Sequence, residues 1–200
     1  DSSGNWLNMI DWVAKVIEAL PASSAGVIAQ RDAAAWIVEN SGTVLSTDPP
    51  YYDNISYADL SDFFHVWLRR NLSEVWPDEL STLLTPKVEE LIANPYRQGS
   101  KEAAFEHFES GMEAVFEKVA KHHDGRFPLT VFYAFKQSEI VAEGQVSTGW
   151  ETFLEGLLAS GLGIHATWPV RTELANRPLA SGTAALASSI VLVCRPRQID

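Results

Sequence analysis

Four consecutive residues, Asp48-Pro49-Pro50-Tyr51, carry the most specific chemistry in this sequence. A carboxylate accepts hydrogen bonds, two prolines fix φ and restrict the residue before them, and a tyrosine offers a flat aromatic face. This set suits an aromatic amino group, a poor nucleophile because its lone pair is delocalised into the ring. When such a nitrogen takes a methyl group, positive charge develops on it, and acceptors aimed at its hydrogens stabilise that charge. Asp48 can accept one N–H through its carboxylate and the Pro49 carbonyl can accept the other. The nitrogen is then drawn toward a pyramidal form with its lone pair facing the incoming carbon. Tyr51 can stack a base swung out of its duplex. A plain turn is the competing reading, since Asp-Pro and Pro-Pro also punctuate loops.

The elements that must position these residues are legible from periodicity. Gly42 to Ser46 reads as a strand running straight into Asp48, and Gly26 to Ala29 as an earlier strand, with a short helical turn from Asp32 to Val38 between them. Before them, Trp6, Ile10, Val13, Ile17 and Leu20 place one apolar stripe on a helix that stops at Pro21 and is expected to face a core. After the tetrapeptide, Ser56 is placed to cap a helix whose Leu60, Phe63, Phe64, Trp67 and Leu68 are expected to face inward. Residues 73–100, with Pro77, Pro86 and Pro95, read as an inserted segment.

The spacing of Ala104, Phe105, Phe108, Met112, Val115, Phe116 and Val119 predicts a helix over 101–122. Phe127 to Phe135 follows as a strand expected to be buried on both faces. Thr148 and Glu151 have capping-box spacing for a helix closed by Gly161. Ile164 to Val170 and Ser189 to Arg195 are the last strands, expected to form an antiparallel edge, and the small polar stretch from Ala175 to Ser188 reads as a mobile connection. Strands alternating with helices predict an α/β fold with a mainly parallel sheet, in which Asp48 lies at the carboxyl edge where such sheets bind ligands.

Composition narrows the classes. The 46% hydrophobic and 20% charged content over 200 residues is that of an ordinary globular chain, read as one domain spanning 1–200. The longest apolar run, Ser189 to Cys194, is far too short to span a membrane, so a soluble, cytoplasmic protein is expected. One cysteine rules out an internal disulfide, and the five histidines show no ligand spacing, so no metal site is expected. A net charge of −11 runs against phosphate binding, which normally shows as clustered Lys and Arg. Local basic residues, among them Lys87, Arg97 and Lys101, make 73–100 the place to look for contact with DNA.

The segment Ser46 to Asp53 resembles motif IV of the DPPY-type amino-methyltransferases that modify adenine at N6 or cytosine at N4 in DNA. The longer run from Tyr51 to Phe64, followed by Trp67-Leu68-Arg69-Arg70, is similar to the large prokaryotic adenine-specific DNA methylases that carry a zinc-ribbon region. Thr85 to Leu91, Pro95-Tyr96-Arg97 and Ser189 to Pro196 fit the same group, so the resemblance extends from about residue 26 onward. It implies a Rossmann-like methyltransferase fold, S-adenosylmethionine as methyl donor and a flipped base as acceptor, with adenine ahead of cytosine on resemblance alone. Asp48, Pro49, Pro50 and Tyr51 would be catalytic. Tyr52, Asp53 and Lys136 are candidates beside the substrate, and Asp32, in the loop after the preceding strand, is a candidate for the cofactor or else a helix N-cap.

The family's glycine-rich cofactor turn is missing. Gly161-Leu162-Gly163 follows a helix and precedes a strand, the reverse of what cradling a cofactor needs, and the zinc ribbon is missing too. The expectation is therefore the C-terminal half of a partial methyltransferase fold, working with the rest of a longer chain and reaching DNA through that parent, in a restriction-modification, defence or regulatory setting. Alone it should bind the methyl donor weakly or not at all and be inactive. The alternative, from another class, is a non-catalytic recognition or partner module that keeps the loop as architecture.

Overall fold

The computed structural model describes residues 5–20, 24–52, 55–135, 148–171 and 188–197, with only the backbone of Phe135, Thr148, Arg171 and Ser188. The chain divides into two compact units, Asp1–Gln30 and Arg31–Asp200.

The first unit holds one helix, α1 (Trp6–Ala19), whose N-cap Asn5 accepts from the Asn8 amide at 3.0 Å. The expected apolar stripe is present, but none of its residues is buried. Among the described residues of this unit there is no second element for the stripe to pack on, and the core-facing expectation is not met there. Gly26 to Ala29 is not a strand: the backbone carries no ladder there, and Val27 and Ile28 are almost fully exposed. Apolar residues make a strand only where a neighbour supplies hydrogen bonds.

The second unit is mixed α/β. In chain order it runs α2 (Ala33–Glu39), β1 (Ser46–Thr47), α3 (Tyr57–Leu72), α4 (Pro95–Gln98), α5 (Lys101–His122), β2 (Leu129–Phe135), α6 (Thr148–Ala159), β3 (Leu162–Arg171) and β4 (Ser188–Pro196). The four strands are ordered β1-β2-β4-β3. β1 lies parallel to β2, and β4 is antiparallel to both of its neighbours. Three strands therefore share one direction while β4 runs back between two of them. Among the described strands the sheet is mixed rather than mainly parallel, since two of its three pairings are antiparallel; the expected antiparallel edge is formed by β3 and β4, with β3 outermost and β4 inside it. Of the two outer strands of the described sheet, β1 and β3, β3 carries a bulge between Ile164 and Ala166 and a proline at 169 that an internal strand would not tolerate.

Burial follows one face of the sheet. Leu129, Val131 and Tyr133 of β2 sit opposite Cys194, Leu192 and Ile190 of β4, and this face meets Phe108, Met112 and Phe116 of α5 and Phe153 and Leu157 of α6. Phe116 and Phe153 meet edge to face at 5.3 Å between centroids. The α5 pattern read from the sequence holds, and Ile37 of α2 joins the same core. Strand β2 alternates, however: Phe132 on its other face is exposed, so the strand is buried on one side only. Its partner β4 is antiparallel, and such pairs need only one covered face. Cys194 is fully buried, and burial pushes its thiol up to about 11, as expected of a structural cysteine.

α3 departs most from expectation. Its buried or half-buried side is Ala58, Asp62, His65, Arg69 and Leu72, while Leu60, Phe63, Phe64, Trp67 and Leu68 are exposed. The polar side is held by 73–100. Asp62 accepts from the Thr85 amide at 2.9 Å, its hydroxyl at 2.7 Å and Lys87 at 2.6 Å, and His65 Nε2 lies 2.9 Å from the Thr82 carbonyl. The Ser56 hydroxyl makes no cap, and Glu90 Oε1 accepts the Ala58 amide instead, at 2.9 Å. A carboxylate at a helix N-terminus satisfies an amide and opposes the helix dipole's positive end.

Candidate functional site around Asp48

Strand β1 delivers the tetrapeptide to the carboxyl end of the sheet's parallel pair. Ser46 and Thr47 register with Thr130 and Val131, the Thr130 amide donates to the Leu45 carbonyl at 3.2 Å, and the Thr130 hydroxyl donates to Ser46 Oγ at 2.9 Å. The expected strand is shorter than read, two residues instead of five, because Gly42 and Thr43 bond instead to the end of α5 and the turn after it: Gly42 N to the His122 carbonyl at 2.7 Å, and Asp124 N to the Thr43 carbonyl at 3.2 Å.

Asp48 is exposed, and Pro49 and Pro50 are half-buried beside it. The Tyr51 hydroxyl donates to Asp48 Oδ1 across the turn. Burial, and then the Asp48 carboxylate accepting that proton's bond, push the Tyr51 hydroxyl well above the usual range, so it stays a donor at any physiological pH. Its ring meets Tyr133 of β2 edge on at 5.1 Å between centroids, Tyr133 lies 5.1 Å from Trp150 and 4.5 Å from Phe153, and Trp150 and Phe153 are stacked at 6.0 Å. The loop therefore rests on an aromatic floor that continues into the core.

Tyr52 is a wedge under the loop. Its backbone takes φ 48°, its ring meets Phe108 at 5.3 Å and Phe105 at 6.4 Å, and its carbonyl accepts from Ala93 N at 3.0 Å. On its other side stands Gly149, where an added Cβ would come within 2.7 Å of the Tyr52 Cβ. Asn94 Nδ2 donates to Ser56 Oγ at 3.2 Å, so residues 93–94 pin the loop at both ends.

Asp32 is the N-cap of α2: its carboxylate accepts from Ala34 N at 2.9 Å. Of the remaining candidates, Asp53 and Lys136 lie outside the described residues, as do residues 175–187 of the small polar connection. Lys87 and Arg97 do not form an open basic patch. Lys87 pairs with Asp62 at 2.6 Å, and Arg97 pairs with Glu90 at 2.6 Å and Asp59 at 2.7 Å. Gly161 takes φ 87° and ends α6, and Arg197 closes over Gly163, with its Cγ 3.1 Å from where a Cβ would stand. Asp32 is thus engaged as a cap, and the G-x-G turn at 161–163 is covered by Arg197.

Of the supporting residues, the sequence marks Trp150 only as an inward position of the helix after Thr148, which its packing against the core bears out, and it does not mark Tyr133, Gly149 or Ala93 for the site. Alternation along 129–135 did carry a signal for Tyr133, on the same face as Leu129 and Val131. Comparison with protein-family models, with curated proteins and with solved structures finds no match. Among the described residues no helix is long and apolar enough to cross a membrane.

Proposed function

We propose that the loop Asp48 to Tyr51 binds and polarises an exocyclic aromatic amino group, as the acceptor side of a methyl transfer to a DNA base, adenine N6 ahead of cytosine N4. One observation carries this reading: an exposed carboxylate at the end of a parallel strand already accepts a hydrogen bond from a ring that lies on an aromatic floor. A base amino group entering there replaces the Tyr51 hydroxyl as donor, and its ring finds Tyr51 to stack on. The position of β4 between strands of one direction supports a Rossmann-like arrangement. S-adenosylmethionine is the donor that the resemblance implies. The reading concerns the acceptor side. Tyr52 acts here by positioning the loop, and a cytoplasmic setting goes with the reading.

A second reading has an observation of its own. The Tyr51–Asp48 bond closes the loop on itself, as it would in a recognition module that keeps the turn for architecture.

Ligand-observed saturation-transfer NMR with adenosine and N6,N6-dimethyladenosine separates the two. Adenosine should bind and the dimethyl analogue, which has no N–H to donate, should bind about tenfold or more weaker, as should adenosine to Asp48→Ala. Equal binding of both nucleosides, or binding unchanged in a folded Asp48→Ala, overturns the amino-group reading and leaves the architectural one.

A further inference from the structure

The outer face of α3 is apolar from Leu60 to Leu68, and the one polar side chain in line with it, Asn71, lies in the last turn and donates back to the Trp67 carbonyl at 2.7 Å. Taking 100° per residue, Leu60, Phe64 and Trp67 fall within about 60° of one another, with Phe63 and Leu68 on either side. Phe63 and Phe64 are 66% and 64% exposed, and Trp67 is 54% exposed. A contiguous apolar face of this kind on a helix whose other side is already packed marks an interaction surface.

The charges beside it select the partner. Asp59 and Arg70 are eleven residues apart, so they share one flank of the face at about 16 Å along the axis. Asp59 is half exposed although Arg97 holds it through Oδ2, and Arg70 is exposed with its guanidinium 6.0 Å above the Trp67 ring. When two such helices lie antiparallel about a two-fold axis, each flank meets its own reverse. Asp59 of one copy then faces Arg70 of the other, twice, and the axis passes close to Phe64. A nucleic acid would meet an apolar face with an acid on its flank, on a chain of net charge −11.

We infer that α3 pairs antiparallel with α3 of a second copy, burying Leu60, Phe64 and Trp67 in an isologous dimer with two Asp59–Arg70 pairs at its rim. The inference does not depend on the chemistry of the Asp48 loop.

Sedimentation equilibrium at up to about 100 μM tests it. The chain should be dimeric. Phe64→Asp should be monomeric with an unchanged far-UV circular dichroism spectrum, because Phe64 is exposed and takes no part in the core. Arg70→Glu should weaken the dimer about three- to tenfold, and Arg70→Lys should retain it. Phe64→Cys should form a cross-linked dimer as glutathione disulfide is reduced, whereas Glu113→Cys, on the outer side of α5, should not, and buried Cys194 stays silent. A monomer throughout the concentration range, a dimer that survives Phe64→Asp, or equal cross-linking at positions 64 and 113 overturns the inference.

Discussion

Tyr52 sits where a residue other than glycine is uncommon, with a backbone φ of 48°, and three elements hold it there. Phe108 flanks its ring, Ala93 donates to its carbonyl, and Gly149 leaves room for its Cβ. The last contact is the most exacting, because the atom an added methyl would strike is the first carbon of the side chain and cannot swing away. Gly149→Ala should therefore destabilise the fold by about 1–3 kcal/mol in denaturant unfolding. It should also weaken adenosine binding without touching Asp48. Unchanged stability would show that α6 can retreat from the loop. The sequence made Asp48 to Tyr51 legible because four unusual neighbours stand in a row. It concealed Gly149 because the need for a glycine arises only when the start of α6 meets a loop almost a hundred residues earlier in the chain.

At the scale of elements, the attachment of 73–100 to α3 is electrostatic, and its weak point is Asp62. Hydrogen bonds from Lys87 and then Thr85 hold its carboxyl down from 3.8 to about 2. A carboxylate with a depressed folded pKa contributes stability above its unfolded value, and this contribution is lost as pH falls through the folded one. Acid titration followed by circular dichroism should therefore show 73–100 loosening between about pH 4 and 2. Asp62→Asn should remove that part of the pH dependence, and a profile identical to wild type would mean that Lys87 and Thr85 do not set it. Periodicity located α3 correctly but assigned the wrong side to the interior. The apolar stripe is the stronger signal in a single sequence, and nothing local reveals that Asp62 and His65 would find their partners in Thr82, Thr85 and Lys87.

For the molecule as a whole, stability is concentrated where α5 and α6 cover β2 and β4. Amides of Val131, Tyr133 and Leu192 should exchange slowest with solvent deuterium, and those of Val27 and Ile28 should exchange within the dead time of the measurement, because exchange follows local opening. Slow exchange at 27–28 would contradict their exposure. The α/β class and the long α5 helix followed from the sequence, since a 22-residue amphipathic pattern leaves little choice. Strand order did not, because placing β4 between β2 and β3 depends on pairings between residues sixty positions apart.

The edge strand β3 has a consequence for solubility. A ten-residue strand that pairs on only one side among the described residues would ordinarily offer its other amides and carbonyls to any passing extended chain. Pro169 removes one of those donors, and the irregularity between Ile164 and Ala166 breaks the spacing of the rest. A second chain that tried to zip onto this side would find its ladder interrupted twice within ten residues. This side of the sheet thus carries its own stop against growth into a fibre, built from one ring and one surplus residue.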